Sequence, residues 1–140
     1  MSDLNEPIRD EEMARAQAMF VRIFGPDYGV ELCGQLGQGD YNLVLMCRIA
    51  PNIWEANAVT LPTKILCAIA LLAAAGQDCG YFVRAAIAHG VTRRQVDEIL
   101  LLAGLETGFP AATAARRRVD EAYREHLAML GRLGRSPVSW

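Results

Sequence analysis

Between Pro62 and Ala112 the chain reads PTKILCAIALLAAAGQDCGYFVRAAIAHGVTRRQVDEILLLAGLETGFPAA, and this stretch constrains the fold more than any other. It holds three apolar helical segments separated by two short turns. The first, Lys64 to Ala75, is apolar on nearly every face, so it is expected to be buried all round, inside a domain or between subunits. The second, Cys79 to His89, ends at Gly90, a residue suited to the left-handed position after a helix. Thr92 then stands three residues before Gln95, the capping-box spacing, and predicts a third helix to about Leu105. Val96, Ile99, Leu102 and Ala103 are its expected inward stripe. Gly108 and Pro110 break that helix and start a fourth.

The rest of the chain fits around this core. Residues 1–9 read as a mobile lead-in, and Asp10 as the cap of a helix from Glu11 to Phe24 with Met13, Ala16, Phe20, Val21 and Phe24 on one face. Residues 28–39, with three glycines in GQLGQG, predict an irregular connection with one short helical turn. Asp40 caps a further helix that Pro51 is expected to stop. Thr60 is placed to cap the apolar helix. The last helix is expected from about Pro110 to Leu133, with Val119, Ala122, Tyr123, Leu127 and Leu130 inward and the Arg116–Arg118 run on a solvated face. Residues 134–140 read as a mobile tail, with Trp140 able to dock on a neighbour. The expectation is therefore a single all-α domain of about six helices over 10–133.

At 140 residues the chain is long enough for a real core and small enough to gain from association. Its 52% hydrophobic and 21% charged residues exceed the apolar share of a typical soluble monomer, an excess assigned to subunit contacts. A net charge of -2 gives no reason to expect a nucleic acid or an anionic membrane as partner. No apolar run approaches the ~20 residues of a bilayer span, and the polar N-terminus carries no signal-peptide core, so the expected location is cytoplasmic. Cys33, Cys47, Cys67 and Cys79 form no CxxC or zinc-like pairing. No phosphate loop, Ser-His-Asp pattern or metal cluster is present. His126 is read as lying on the outer helix beside charged residues, so two histidine ligands cannot be assembled.

The run AAIAHGVTRRQVDEILLLAGLETGFPAA resembles the signature of the carboxymuconolactone decarboxylase family, which also holds the alkyl hydroperoxide reductase partner D proteins. The resemblance lies in a helix ending in Gly-Val-Thr, an acidic amphipathic helix, and a Gly-aromatic-Pro-Ala turn at Gly108, Phe109, Pro110 and Ala111. It covers a core of about residues 54–125 and implies an oligomeric helical bundle, a trimer or hexamer. The peroxidase branch of the family implies a CxxC and a His on the central helix. Aligned back from Gly90, the thiol positions fall on Ala75 and Asp78, and the His position on Phe82. The decarboxylase branch implies catalysis without a metal or organic cofactor, by a His and a Glu in a pocket at a subunit interface. Here Phe82 replaces that His, and the Arg-Glu pair at the start of the apolar helix becomes Lys64-Ile65 or Thr63-Lys64.

Other residues are therefore candidates for the chemistry. Helical spacing puts His89 on the face of Phe82, with Asp78 and Cys79 close by, and puts Lys64 and Cys67 on one face of the preceding helix. The catalytic candidates are Lys64, His89, Tyr81 and Glu106. The first three have plainer alternatives: a solvated first-turn lysine, a histidine favoured by the helix C-terminal dipole, and a core or interface tyrosine. Candidates for substrate contact are Phe82, Cys67, Cys79, Arg84, whose planar fork suits a carboxylate, and Trp54, either a lid or a packing residue.

The expected function is a cofactor-independent lyase acting on a small carboxylated or enolisable molecule. Decarboxylation comes first, with an isomerase or cyclisation step beside it. Phe82 implies a substrate more apolar than a muconolactone. The rival readings are a binding or assembly protein that has lost catalysis, and a thiol redox protein using Cys67 and Cys79.

Overall fold

The computed structural model describes residues 5–140. Among them every regular element is helical: α1 Asp10–Phe24, α2 Pro26–Leu36, α3 Asp40–Val44, a π-helical turn Leu45–Ile49, α4 Ala50–Trp54, α5 Leu61–Ala74, α6 Tyr81–Ala88, α7 Arg93–Thr107 and α8 Phe109–Arg132. Counting α3, the π turn and α4 as one continuous run gives seven helices. Where a single domain was expected over 10–133, the backbone contacts group the chain into two compact units, one ending at Val59 and the other Thr60–Trp140.

In the N-terminal unit, α1 buries Ala16, Met19, Phe20, Ile23 and Phe24 as one stripe. Its cap is Arg9 and not Asp10. The Arg9 N–H donates to the Glu12 carboxylate at 2.9 Å, and Asp10 opens the first turn, where its charge suits the helix dipole. Gly25, at φ 90°, turns the chain into α2, with Pro26 in the first turn. The expected irregular stretch 28–39 is thus largely helix. Gly29 belongs to packing: it is buried against the Phe20 backbone, and the Phe24 and Tyr28 rings meet edge to face at 6.0 Å.

Pro51 does not end the third helical run. Just before it the helix widens into the π turn, where the Ala50 N–H reaches back to the Leu45 carbonyl. A wider turn relieves the clash between a proline ring and the carbonyl one turn back, so the chain continues to Trp54. Arg48, on that turn, donates to Glu12 at 2.9 Å and to the carbonyls of Glu6 and Pro7 at 3.0 and 3.1 Å. Those bonds tether the described part of the expected lead-in 1–9, whose residues 1–4 lie outside the described range. Arg15 grips both oxygens of Glu55 at 3.0 and 2.6 Å, fastening α1 to the end of α4.

In the C-terminal unit, the Thr60 hydroxyl caps α5 by accepting from the Thr63 N–H. Within the chain α5 is not buried all round. Ile65, Ile69 and Ala73 face inward at four-residue spacing, while Leu71 is 71% exposed and Cys67 is exposed. Ile65, Ile69, Val83, Val96 and Val119 are fully buried, each contributing about 1.5–3 kcal/mol relative to exposure. α6 starts two residues later than expected, because the Asp78 carboxylate accepts the Gly80 N–H at 2.7 Å in a local turn. It ends at His89 and a left-handed Gly90, as expected.

The capping box of α7 is present: the Gln95 N–H donates to the Thr92 hydroxyl and the Thr92 N–H to the Gln95 amide oxygen. The inward stripe of α7 is Val96, Leu100 and Gly104, with Leu102 exposed, one register away from expectation. Gly104 lets α8 approach closely, since a Cβ there would stand 2.8 Å from that of Ala112. The tail carries no regular structure but is anchored. The Trp140 indole N–H donates to the Val91 carbonyl at 2.7 Å, and the Tyr123 hydroxyl donates to the Val138 carbonyl at 2.6 Å.

Candidate functional site

α6 carries more of the candidate residues than any other element. A hydrophobic inner face, Phe82, Val83, Ala85 and Ala86, seats it against α5 and α8. Phe82, where the resemblance put the family's histidine, is 6% exposed, and the half-buried Tyr81 ring lies 4.7 Å from it. Cys79, fully buried just before the helix, has its thiol pushed up by burial and by the neighbouring Asp78 charge. A thiol held protonated in this way is a poor nucleophile. Cys67 is exposed on α5, and all four cysteines are free.

The remaining candidates are spread over the fold. Lys64 is half-buried in the first turns of α5, and His89 is half-buried at the C-cap of α6. Glu106 is exposed in the last turn of α7, where water solvates its carboxylate. Trp54 closes α4 in the N-terminal unit and is half-buried. Arg84 is half-buried on α6, and its charge acts on His126 of α8.

His126, read as lying beside charged residues on an outer helix, faces inward. It is half-buried, its Nδ1 is shut off from solvent without a hydrogen-bond partner, and its pKa is lowered by burial and then by Arg84. The signal was present in the sequence: Ala115, Val119, Ala122 and Leu130 are buried at helical spacing, and His126 completes their stripe. Arg118 was placed on a solvated face, yet it is central to the α6–α8 seam. Its guanidinium lies against Gly80, donates to Asp78 at 2.8 Å and to Glu125 at 3.2 Å, and so fastens the start of α6 to α8.

A separate groove of about 200 Å³ runs between α7 and α8. Leu100 forms its floor, Leu101, Phe109 and Ala112 its walls, and Asp97 and Arg116, 3.6 Å apart, close one end. Around it Leu101, Leu105 and Phe109 are 64%, 68% and 61% exposed, an apolar surface larger than scattered single residues would give. Among the described residues, no group of three or more His, Cys, Asp and Glu is placed to hold a metal ion, and no helix is long and apolar enough to cross a membrane.

The described chain is thus all-α, with a Gly-Val-Thr junction between α6 and α7 and a Gly-Phe-Pro-Ala turn between α7 and α8. The sequence profile of the carboxymuconolactone decarboxylase family matches residues 45–121, more than half of the chain, and the chain belongs to that family. It is 29% identical over 76 residues to a 4-carboxymuconolactone decarboxylase of Acinetobacter baylyi (strain ATCC 33305 / BD413 / ADP1), a match covering 53% of this chain and 57% of the relative. The chain thus spans little more than half the length of that relative. No solved structure matches it.

Proposed function

We propose that the protein is a cofactor-independent lyase that decarboxylates a small organic acid, or carries out a related isomerase or cyclisation step, in an apolar site beside α6. The observation that carries this reading is the buried Phe82 with the Tyr81 ring 4.7 Å from it; on this reading the two form an apolar wall of the site, where the resemblance implies a histidine. Such a wall favours a carboxylic acid with an apolar body over a hydroxylated lactone. The name of the Acinetobacter relative, a decarboxylase, supports the reaction class. A carboxylate conjugated to a carbonyl or an unsaturated system leaves as CO2 when the electron pair left on carbon is stabilised and then protonated. Tyr81 and His89 on the same helix segment, and Lys64 on α5, are the candidate groups to stabilise or protonate.

The same reading includes self-association. The exposed Leu71, Leu101, Leu105 and Phe109 of the C-terminal unit are the kind of surface that a second copy covers, and a homotrimer or hexamer would place the site at or near a subunit boundary. A second reading, a scaffold that has lost catalysis, is favoured by one observation: Phe82 is packed within its own chain. The two are separated by incubating the protein with carboxyl-¹³C-labelled acids, from polar lactone acids to aryl and enone acids, and following labelled CO2. Release that falls in Tyr81→Phe or Lys64→Met supports the enzyme. Saturable binding without release from any acid supports the scaffold.

A further inference from the structure

We propose that the groove between α7 and α8 is a binding site for a small monocarboxylate with an apolar body, held by Arg116 at the groove's closed end. The inference goes beyond the decarboxylase reading and does not depend on it: among the described residues, α7 and α8 alone line the groove. Two stripes at helical spacing build it, with Asp97, Leu100 and Leu101 on α7 facing Phe109, Ala112 and Arg116 on α8. Near the Gly108 turn the two helices close on each other, because Gly104 admits Ala112 and Phe109. Farther from the turn Ala112 and Thr113 are too short to fill the space over Leu100, and about 200 Å³ stays open.

Size and apolar lining select the body of the ligand. An apolar cavity of about 150 Å³ takes up a benzene, so this groove has room for one ring and a carboxyl group. Leu101 and Phe109 are 64% and 61% exposed, and a ring laid between them removes their apolar area from water. Leu105 lies outside the lining, so a second copy seated there leaves the Arg116 end open.

The charges at the closed end select the head group. Asp97 is already served by Arg93, which donates to it at 3.1 Å and pairs with Asp120 at 2.7 Å. Arg116 stands 3.6 Å from Asp97, too far for a hydrogen bond, and among the described residues its guanidinium makes none. Its donors are therefore open to a planar partner with two oxygens. The Thr113 hydroxyl, one turn away on the same face and also without a partner among the described residues, can donate to the same group. A cation is repelled by Arg116, and an uncharged ligand leaves its fork unused.

The test is a ¹H–¹⁵N NMR titration of the full chain with phenylacetate, run beside phenylacetamide, its uncharged analogue. Saturable phenylacetate shifts are expected at the amides of Leu101, Ala112 and Thr113. Arg116→Gln is expected to weaken phenylacetate about tenfold and to leave phenylacetamide as it was. Arg117→Gln removes the same charge from the next residue, exposed and outside the lining, and should leave both affinities unchanged. Thr113→Phe fills the groove from an exposed position and should abolish binding of both probes at unchanged helix content.

The proposal is overturned if the wild type shows no saturable shift, if Arg116→Gln binds phenylacetate as tightly, or if Arg117→Gln loses as much. It is also overturned if the groove amides respond only in Leu105→Glu, since a second copy, and not an acid, would then be the occupant.

Discussion

The Phe20 carbonyl of α1 lies against the Cα of Gly29 in α2, so closely that a Cβ at position 29 would stand 2.5 Å from the oxygen. Backbone cannot yield as a side-chain tip can, so Gly29→Ala must separate the two helices. We expect a loss of about 1–3 kcal/mol or more. Gly34, on the same helix with nothing within 4 Å of a built Cβ, is the control: Gly34→Ala is expected to gain about 0.5–1 kcal/mol. Urea unfolding of both variants checks the pair, and equal effects would refute the packing argument.

That contrast shows what was legible in the sequence. Turn grammar was readable because it is local: the Thr60 cap, the Thr92–Gln95 box and the Gly90 and Gly108 breaks all stand where the spacing put them. α2 was not, because a glycine that admits a neighbouring backbone looks the same in sequence as a glycine that makes a loop. Pro51 misled for a related reason: a π turn two residues upstream accommodates it. For the site, the sequence yielded only an expectation, that the family's histidine position falls on Phe82. That the Arg84 charge bears on His126 could not be read from the sequence, since it depends on how α6 crosses α8. Even so, the stripe Ala115, Val119, Ala122 and Leu130 marked His126 as inward, and reading Tyr123 and Leu127 as the buried pair hid it.

Glu12 and Arg48 make the N-terminal unit sensitive to acid. Two hydrogen bonds, from the Arg48 side chain and the Arg9 backbone, hold the Glu12 carboxyl down from its ordinary 4.5 to about 2. Since the folded-state value is the lower one, the pair's contribution is complete above about pH 4.5 and disappears as pH falls toward 2. Thermal melts across that range should show wild type above Glu12→Gln at pH 6 and the two converging in acid. A gap that persists at pH 2 would mean that Glu12 acts through packing instead.

Trp140 anchors the tail through one directed bond and one ring. Its indole N–H donates to the Val91 carbonyl, its ring packs 5.7 Å from that of Tyr123, and the Arg93 guanidinium sits 5.6 Å above it. Trp140→Phe keeps a ring and loses the donor, so it should cost about 1 kcal/mol. Trp140→Ala should cost more. Faster amide exchange in the Gly90–Thr92 turn of both variants is the specific sign; unchanged exchange there would show that the tail does not brace the turn.

The exposed leucines of α7 bear on assembly. Leu105→Glu puts a charge into the surface we propose a second copy covers, and should convert an oligomer into a monomer in sedimentation at micromolar concentration without changing helix content. A monomeric wild type under those conditions would remove the assembly proposal.

The most direct measurement of the central claim is a comparison of two acids of similar size, both labelled in the carboxyl carbon. One is an enone acid with an aryl body, the other a hydroxylated lactone acid. On the proposed reading Phe82 and Tyr81 form an apolar wall of the site, so labelled CO2 should leave the aryl acid with the higher kcat/KM. Each methylene-sized apolar contact is worth about 1–3 kcal/mol of discrimination, which is a ratio of roughly 10 or more. Preference for the lactone acid, or no labelled CO2 from either, would contradict the account.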